Sequence, residues 1–131
     1  MLYSKTTALR LLCGFLVFGV LLSACELVHN EPSYGDVSVE TGRVELSIIN
    51  RTDKPVYVFI VGRELSALID WIPTVEGEGI APSGLERRRY ADMDFLQNER
   101  EAVVYWWHAT VKNGVRTFDE LHSFVVPLPS F

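Results

Sequence analysis

The sequence predicts an all-β domain: a single antiparallel β-sandwich of about five to six strands. Three observations lead there. Short runs rich in Val, Ile, Thr, Tyr, Phe and Trp recur after residue 42, and such residues suit a pleated, half-buried surface. Clusters of Asn, Asp, Gly and Pro separate those runs, each supplying a turn conformation. Sustained apolar spacing at the helical period is missing from the same region. An antiparallel sandwich is the natural way for such strands to bury one face each.

Ahead of the domain stands a different kind of segment. Lys5 and Arg10 are the only charges among the first 24 residues, and Leu11 to Leu22 is apolar almost without a break. A basic start, a short apolar run and small residues at its end describe a secretory signal helix. The run is about 12 residues, against about 20 needed to cross a bilayer core. Leu22-Ser23-Ala24-Cys25 ends it and resembles the lipobox of bacterial lipoproteins at all four positions. The resemblance implies cleavage between Ala24 and Cys25. It also implies a diacylglyceryl group on the Cys25 sulfur and an N-acyl chain on the new terminus. Two or three chains hold firmly where one is marginal, at about 0.8 kcal/mol per buried methylene. Glu26 rather than Asp follows the Cys, which the resemblance associates with the periplasmic face of the outer membrane in Gram-negative bacteria.

Removing residues 1–24 leaves 107 of 131, with ten basic residues against 17 acidic, a net of −7. An acidic domain gains nothing from the counterion release that drives nucleic-acid binding, nor from an anionic membrane surface. The lipid must do the anchoring. Cys13 leaves with the signal and Cys25 is acylated in this reading, so neither a free thiol nor a disulfide remains and the core must stabilise the fold alone.

The elements follow in order. Residues 25–42, with Glu26, His29, Pro32 and Gly35, hold no apolar period and read as the lipidated Cys and a flexible tether; the domain then spans 43–131. Arg43 to Asn50 alternates, with Val44, Leu46 and Ile48 on one side, a half-buried strand. Asn50 to Pro55 is a turn cluster, and Val56 to Val61 is a second strand. Together they form a hairpin. Arg63 to Ile69 suits a short helical turn. Pro73 forces extended backbone before it, folding Trp71 and Ile72 back over an open end of the core. Leu85 to Ala91 reads as an edge strand, because charged side chains blunt edges. Asp92 to Arg100 is a loop or a single turn. Glu101 to Val111 reads as a central strand buried on both faces. Asn113-Gly114 signals a tight hairpin, and a final strand runs to Leu128. The pattern Val44…Asn50-x-Thr52…Pro55-Val56-x-Val58 resembles the opening of immunoglobulin-like bacterial envelope domains, over about twenty residues. Asn50-Arg51-Thr52 also fits a glycosylation sequon, which in a bacterial lipoprotein would be idle.

Candidate chemistry is sparse. His108 and His122 flank the Asn113-Gly114 turn, but a metal site needs three or four converging ligands. Each reads instead as a strand-rim histidine with one hydrogen bond. Neither a Gly-x-Ser-x-Gly elbow nor a metal-binding histidine spacing occurs. The expectation is therefore a non-enzyme, without catalytic residues, metal ligands or a cofactor other than the lipid on Cys25. Arg87, Arg88 and Arg89 form the one basic run. They suit phosphate, lipid headgroups or an acidic partner, or an edge strand pairing with the abundant acids. Among the aromatics, Trp71, Tyr105, Trp106 and Trp107 stand out. Alternation puts Trp106 and His108 on one face of their strand and Tyr105 and Trp107 on the other. Exposed, one of these faces is a binding patch; covered, it is core.

The sequence reading is thus a lipid-anchored cell-envelope protein acting as a non-catalytic interaction module. Its candidate surface is Trp106, His108, Trp71 and the Arg87–Arg89 edge, contacting an envelope protein. The alternatives are a carrier of a small apolar ligand, or a small metal-dependent or hydrolytic enzyme using His108 and His122.

Overall fold

The computed structural model describes Ser33, Tyr34 and residues 36–130. The signal run, the lipobox and Cys25 lie outside the described residues.

Strands dominate. β1 is Ser33–Tyr34, β2 Val37–Thr41, β3 Glu45–Asn50 and β4 Tyr57–Gly62. The helical turn α1 spans Arg63–Ser66. β5 is Leu85–Arg89, followed by a 3₁₀ turn at Tyr90–Asp92. Then come β6 (Glu101–Trp107), β7 (Ala109–Lys112), β8 (Val115–Phe118) and β9 (His122–Pro127). One sheet has the order β1-β2-β3-β5 and a second the order β4-β6-β9, while β7 and β8 pair separately. All these pairings are antiparallel.

The two larger sheets share one core. Val37, Val39, Leu46 and Ile48 come from the first, and Ile60, Val104, Trp106 and Val126 from the second. The alternation in β3 places Leu46 and Ile48 inward as the period requires. Val44 does not continue it: the strand begins at Glu45 and Val44 is 70% exposed. Asn50 takes the third inward position instead.

Three other expectations are corrected. The tether expected over residues 25–42 contains a strand instead, because Val37–Thr41 pairs with Leu46–Asn50 of β3. Val37 and Val39 are fully buried; a fully buried Val contributes about 1.5–3 kcal/mol as an upper figure, enough to hold a short polar segment against the sheet. The strand expected over Glu101 to Val111 breaks at His108, where β7 leaves the second sheet to pair with β8. The His108 carbonyl accepts the Asp119 N–H at 2.9 Å across the base of that hairpin. The last expected strand divides likewise into β8 and β9, so the strands outnumber the five to six expected.

Other expectations stand. The hairpin tip carries positive φ at both Asn113 (53°) and Gly114 (77°), the requirement of a two-residue turn of the right twist. β6 is central and buried on both faces: Ala102, Val104 and Trp106 join the core, and Val103 and Trp107 are buried on the opposite face. α1 lies beside β4 and β6, and the loop that follows it covers the opposite face with Trp71.

Candidate functional site

Trp106 is 5% exposed and belongs to the core, so it offers no binding surface. The reason is the register: Trp106 shares a face with Val104 and Ala102, which point toward the first sheet. His122 lies opposite it on β9 and stacks on its ring with centroids 4.1 Å apart, while His108 meets it edge-on at 5.6 Å. The ring nitrogen Nδ1 of His108 is 3.0 Å from the Pro55 carbonyl, and His122 Nε2 is 4.0 Å from a Glu120 carboxylate oxygen. The turn does bring the two histidines to one residue, as wall and lid of the Trp106 ring. Among the described residues, no group of three or more His, Cys, Asp or Glu is placed to hold a metal ion.

Trp71 sits on the other face of the second sheet rather than over an open end of the core. Its ring lies 4.6 Å from Phe59, 4.8 Å from Tyr105 and 5.9 Å from Trp107. The segment carrying it is tied down by polar groups on the same aromatics. Trp107 Nε1 donates to the Thr74 carbonyl at 2.8 Å, and the Tyr57 hydroxyl donates to the Gly77 carbonyl at 3.1 Å. Arg116, from β8, donates to the Tyr57 oxygen and lies 5.6 Å from that ring. Val56 and Ile80 exchange both backbone hydrogen bonds. Large aromatics with one polar tip suit such a cover, because each buries a wide ring and still finds a partner for its N–H or O–H.

Between this cover and the first sheet lies a cleft of about 350 Å³. Its floor is Val56 and the start of β4 to Phe59, one wall is Trp71 and Ile72, and the other is Glu86 and Arg88 of β5. Ile72 is 79% exposed at its mouth. Arg88 donates to Glu86 at 2.5 Å and to the Val58 carbonyl at 3.1 Å, so its guanidinium bridges the edges of the two sheets. Arg87 and Arg89 point the other way, as alternation requires. Arg87 lies 3.7 Å from Glu45, and Arg89 makes two hydrogen bonds to Asp92 at 2.9 and 3.3 Å. β5 is an edge strand, and its arginines pair with acids. The cleft therefore unites Trp71 and Arg88, whereas Trp106, His108, Arg87 and Arg89 lie outside it.

A second cleft, about 430 Å³ and more apolar, lies beyond the end of β5 and is lined by Val44, Tyr90, Phe95 and Leu96 among others. Tyr90 donates its hydroxyl to the Gly42 carbonyl at 3.0 Å, and burial raises its pKa above the ordinary tyrosine value.

Three residues have roles that sequence reasoning does not assign. Asn50 is fully buried, and its Nδ2 faces the carbonyls of Lys54, Ile80 and Ala81 at 2.8–3.1 Å. Its Oδ1 accepts from both the N–H and the hydroxyl of Thr52. The Asn-x-Thr pattern is thus a turn lock, with the amide nitrogen engaged and shielded. Its inward register after Leu46 and Ile48 was the available signal. Glu99, 4% exposed, reaches from a polar loop to the start of α1. One oxygen accepts the N–H groups of Glu64 and Leu65, the other that of Leu96. Gly62 makes room for it, since a Cβ there would stand 1.5 Å from Glu99 Oε2. Nothing local in the sequence announces that pairing across 37 positions.

No family model matches the chain, and neither a curated protein nor a solved structure is significantly similar to it.

Proposed function

We propose that this chain is a lipid-anchored cell-envelope protein whose domain acts by binding, without catalysis, and that the cleft beside Trp71 and Arg88 receives the partner. The anchor half rests on Leu22-Ser23-Ala24-Cys25 behind an apolar run too short to span a bilayer. The binding half rests on one observation: a groove with exposed Ile72 and half-buried Trp71 facing the Glu86–Arg88 pair. Apolar surface rimmed by polar groups is the usual composition of a recognition site. We read the domain as an immunoglobulin-like sandwich. The strand order supports this: β2-β3-β5 faces β4-β6-β9, the arrangement of the A-B-E and C-F-G sheets in that fold.

The test is in the cell. A photo-crosslinking amino acid at position 72, with a control at position 47, is expected to capture one discrete envelope protein from position 72 only. Labelled fatty acid is expected to enter the wild-type chain and not Cys25→Ala. Capture of nothing at position 72, or of the same proteins at both positions, removes the binding reading. Fatty-acid incorporation into Cys25→Ala removes the anchor.

A further inference from the structure

The edge of β5 is open in a specific way. The Asn50 N–H donates to Gly84 at 3.0 Å and the Tyr90 N–H donates to Val44 at 3.0 Å, at the two ends of the β3–β5 ladder. Antiparallel pairing alternates, so Glu86 and Arg88 also spend their backbone groups on β3. The N–H and C=O groups of Leu85, Arg87 and Arg89 then point away from the sheet. Among the described residues, no backbone partner meets them. All three residues are exposed. Directly beside this row lies the cleft, whose wall is the inward pair Glu86 and Arg88.

We propose that β5 accepts an extended segment of a partner protein as an added strand, and that this segment alternates acidic with apolar residues. The proposal rests on the binding reading above and names the partner's chemistry. Backbone hydrogen bonds to Leu85, Arg87 and Arg89 would supply register, as in other strand additions. Residues of the new strand opposite Arg87 and Arg89 share their outward face, where carboxylates suit two guanidinium groups. Arg87 and Arg89 already hold Glu45 and Asp92, but these are exposed pairs, and exposed pairs are held weakly enough to exchange. Residues opposite Glu86 and Arg88 turn into the cleft, toward Val58, Trp71 and Ile72, which favours apolar side chains. A second copy pairing through its own β5 fits badly, because it sets arginine rows against each other, and like charges across a ladder repel.

The experiment is hydrogen exchange by mass spectrometry on the full chain in detergent micelles. The probes are two N-acetylated octapeptides, one alternating Glu and Val and the other Lys and Val. The Glu–Val peptide is expected to slow exchange over residues 85–89 at least tenfold and to leave residues 122–127 of β9 unchanged. The Lys–Val peptide is expected to do neither. In the variant carrying Arg87→Glu and Arg89→Glu the preference should reverse. Equal slowing by both peptides, or none at 85–89, overturns the proposal; it would leave the inward charges Glu86 and Arg88 as a device against pairing. Absence of slowing together with specific capture at position 72 removes strand addition alone. Absence of both removes the binding reading as well.

Discussion

The carboxylate of Glu99 shows how much one glycine decides. Gly62 precedes α1 with ordinary negative φ, so its value is space, not conformational freedom. Into that space comes an acceptor for three backbone N–H groups, two of them orphan donors at a helix start. Gly62→Ala is expected to cost about 2–4 kcal/mol, because the new Cβ expels the carboxylate and strands those donors; urea unfolding checks it. Tyr90 carries a pH dependence. Burial raises its pKa in the folded state, so the folded chain holds the phenolic proton to higher pH than the unfolded chain. The stability this represents is present below about pH 10 and is lost as pH rises through the folded value. Unfolding curves at pH 9 and pH 11 are therefore expected to differ more for the wild type than for Tyr90→Phe. That variant should also lose about 1 kcal/mol at pH 9 with the Gly42 hydrogen bond.

At the scale of elements, β5 is the informative strand. Its burial alternates between exposed and half-buried, yet the half-buried positions are Glu86 and Arg88 rather than apolar residues. Inward charges beside an edge keep the sheet from recruiting indiscriminate partners, and here they also span to the Val58 carbonyl on the facing sheet. Replacing both, Glu86→Val with Arg88→Leu, is expected to leave the monomer folded but to make it self-associate. Sedimentation velocity at rising concentration checks this, with wild type as reference. The aromatic cover behaves as a second element. Trp71 touches three rings of the sheet, and the polar tips of Tyr57 and Trp107 hold its loop. The run Tyr105-Trp106-Trp107 therefore serves two separate packing layers.

At the scale of the whole molecule, the domain boundary is a matter of pairing. A chain truncated to begin at residue 43 keeps every strand that stands out in the sequence, yet it loses β1, β2 and the buried Val37 and Val39. It is expected to be unfolded by circular dichroism, while a chain beginning at residue 31 should melt cooperatively. Two buried valines and a five-residue ladder approach the whole net stability of a small domain, about 5–15 kcal/mol. The proposed anchor at Cys25 precedes this boundary in the sequence. Few residues separate Cys25 from Ser33, so the segment between them reaches at most about 30 Å when extended.

Local features are legible in the chain. Strand-length runs, the Asn113-Gly114 turn, the helical turn after Gly62 and the charged edge at Leu85–Arg89 all depend on neighbours within a few positions, and the fold class followed from them. Other features depend on partners far along the chain and emerge only in the assembled fold. Val37–Thr41 is a strand because β3 lies beside it. The chain breaks at His108 because β8 offers β7 a closer partner. Trp106 is core and Trp71 is cover because two sheets and a loop claim opposite faces of β6. The alternation of β3 points Asn50 inward, but neither its partners nor those of Glu99 are legible locally, since a buried polar group is set by the carbonyls and N–H groups that converge on it. Those groups come here from as many as 35 residues away. Periodicity reports which residues seek burial, but only the assembled sheets determine what each one meets there.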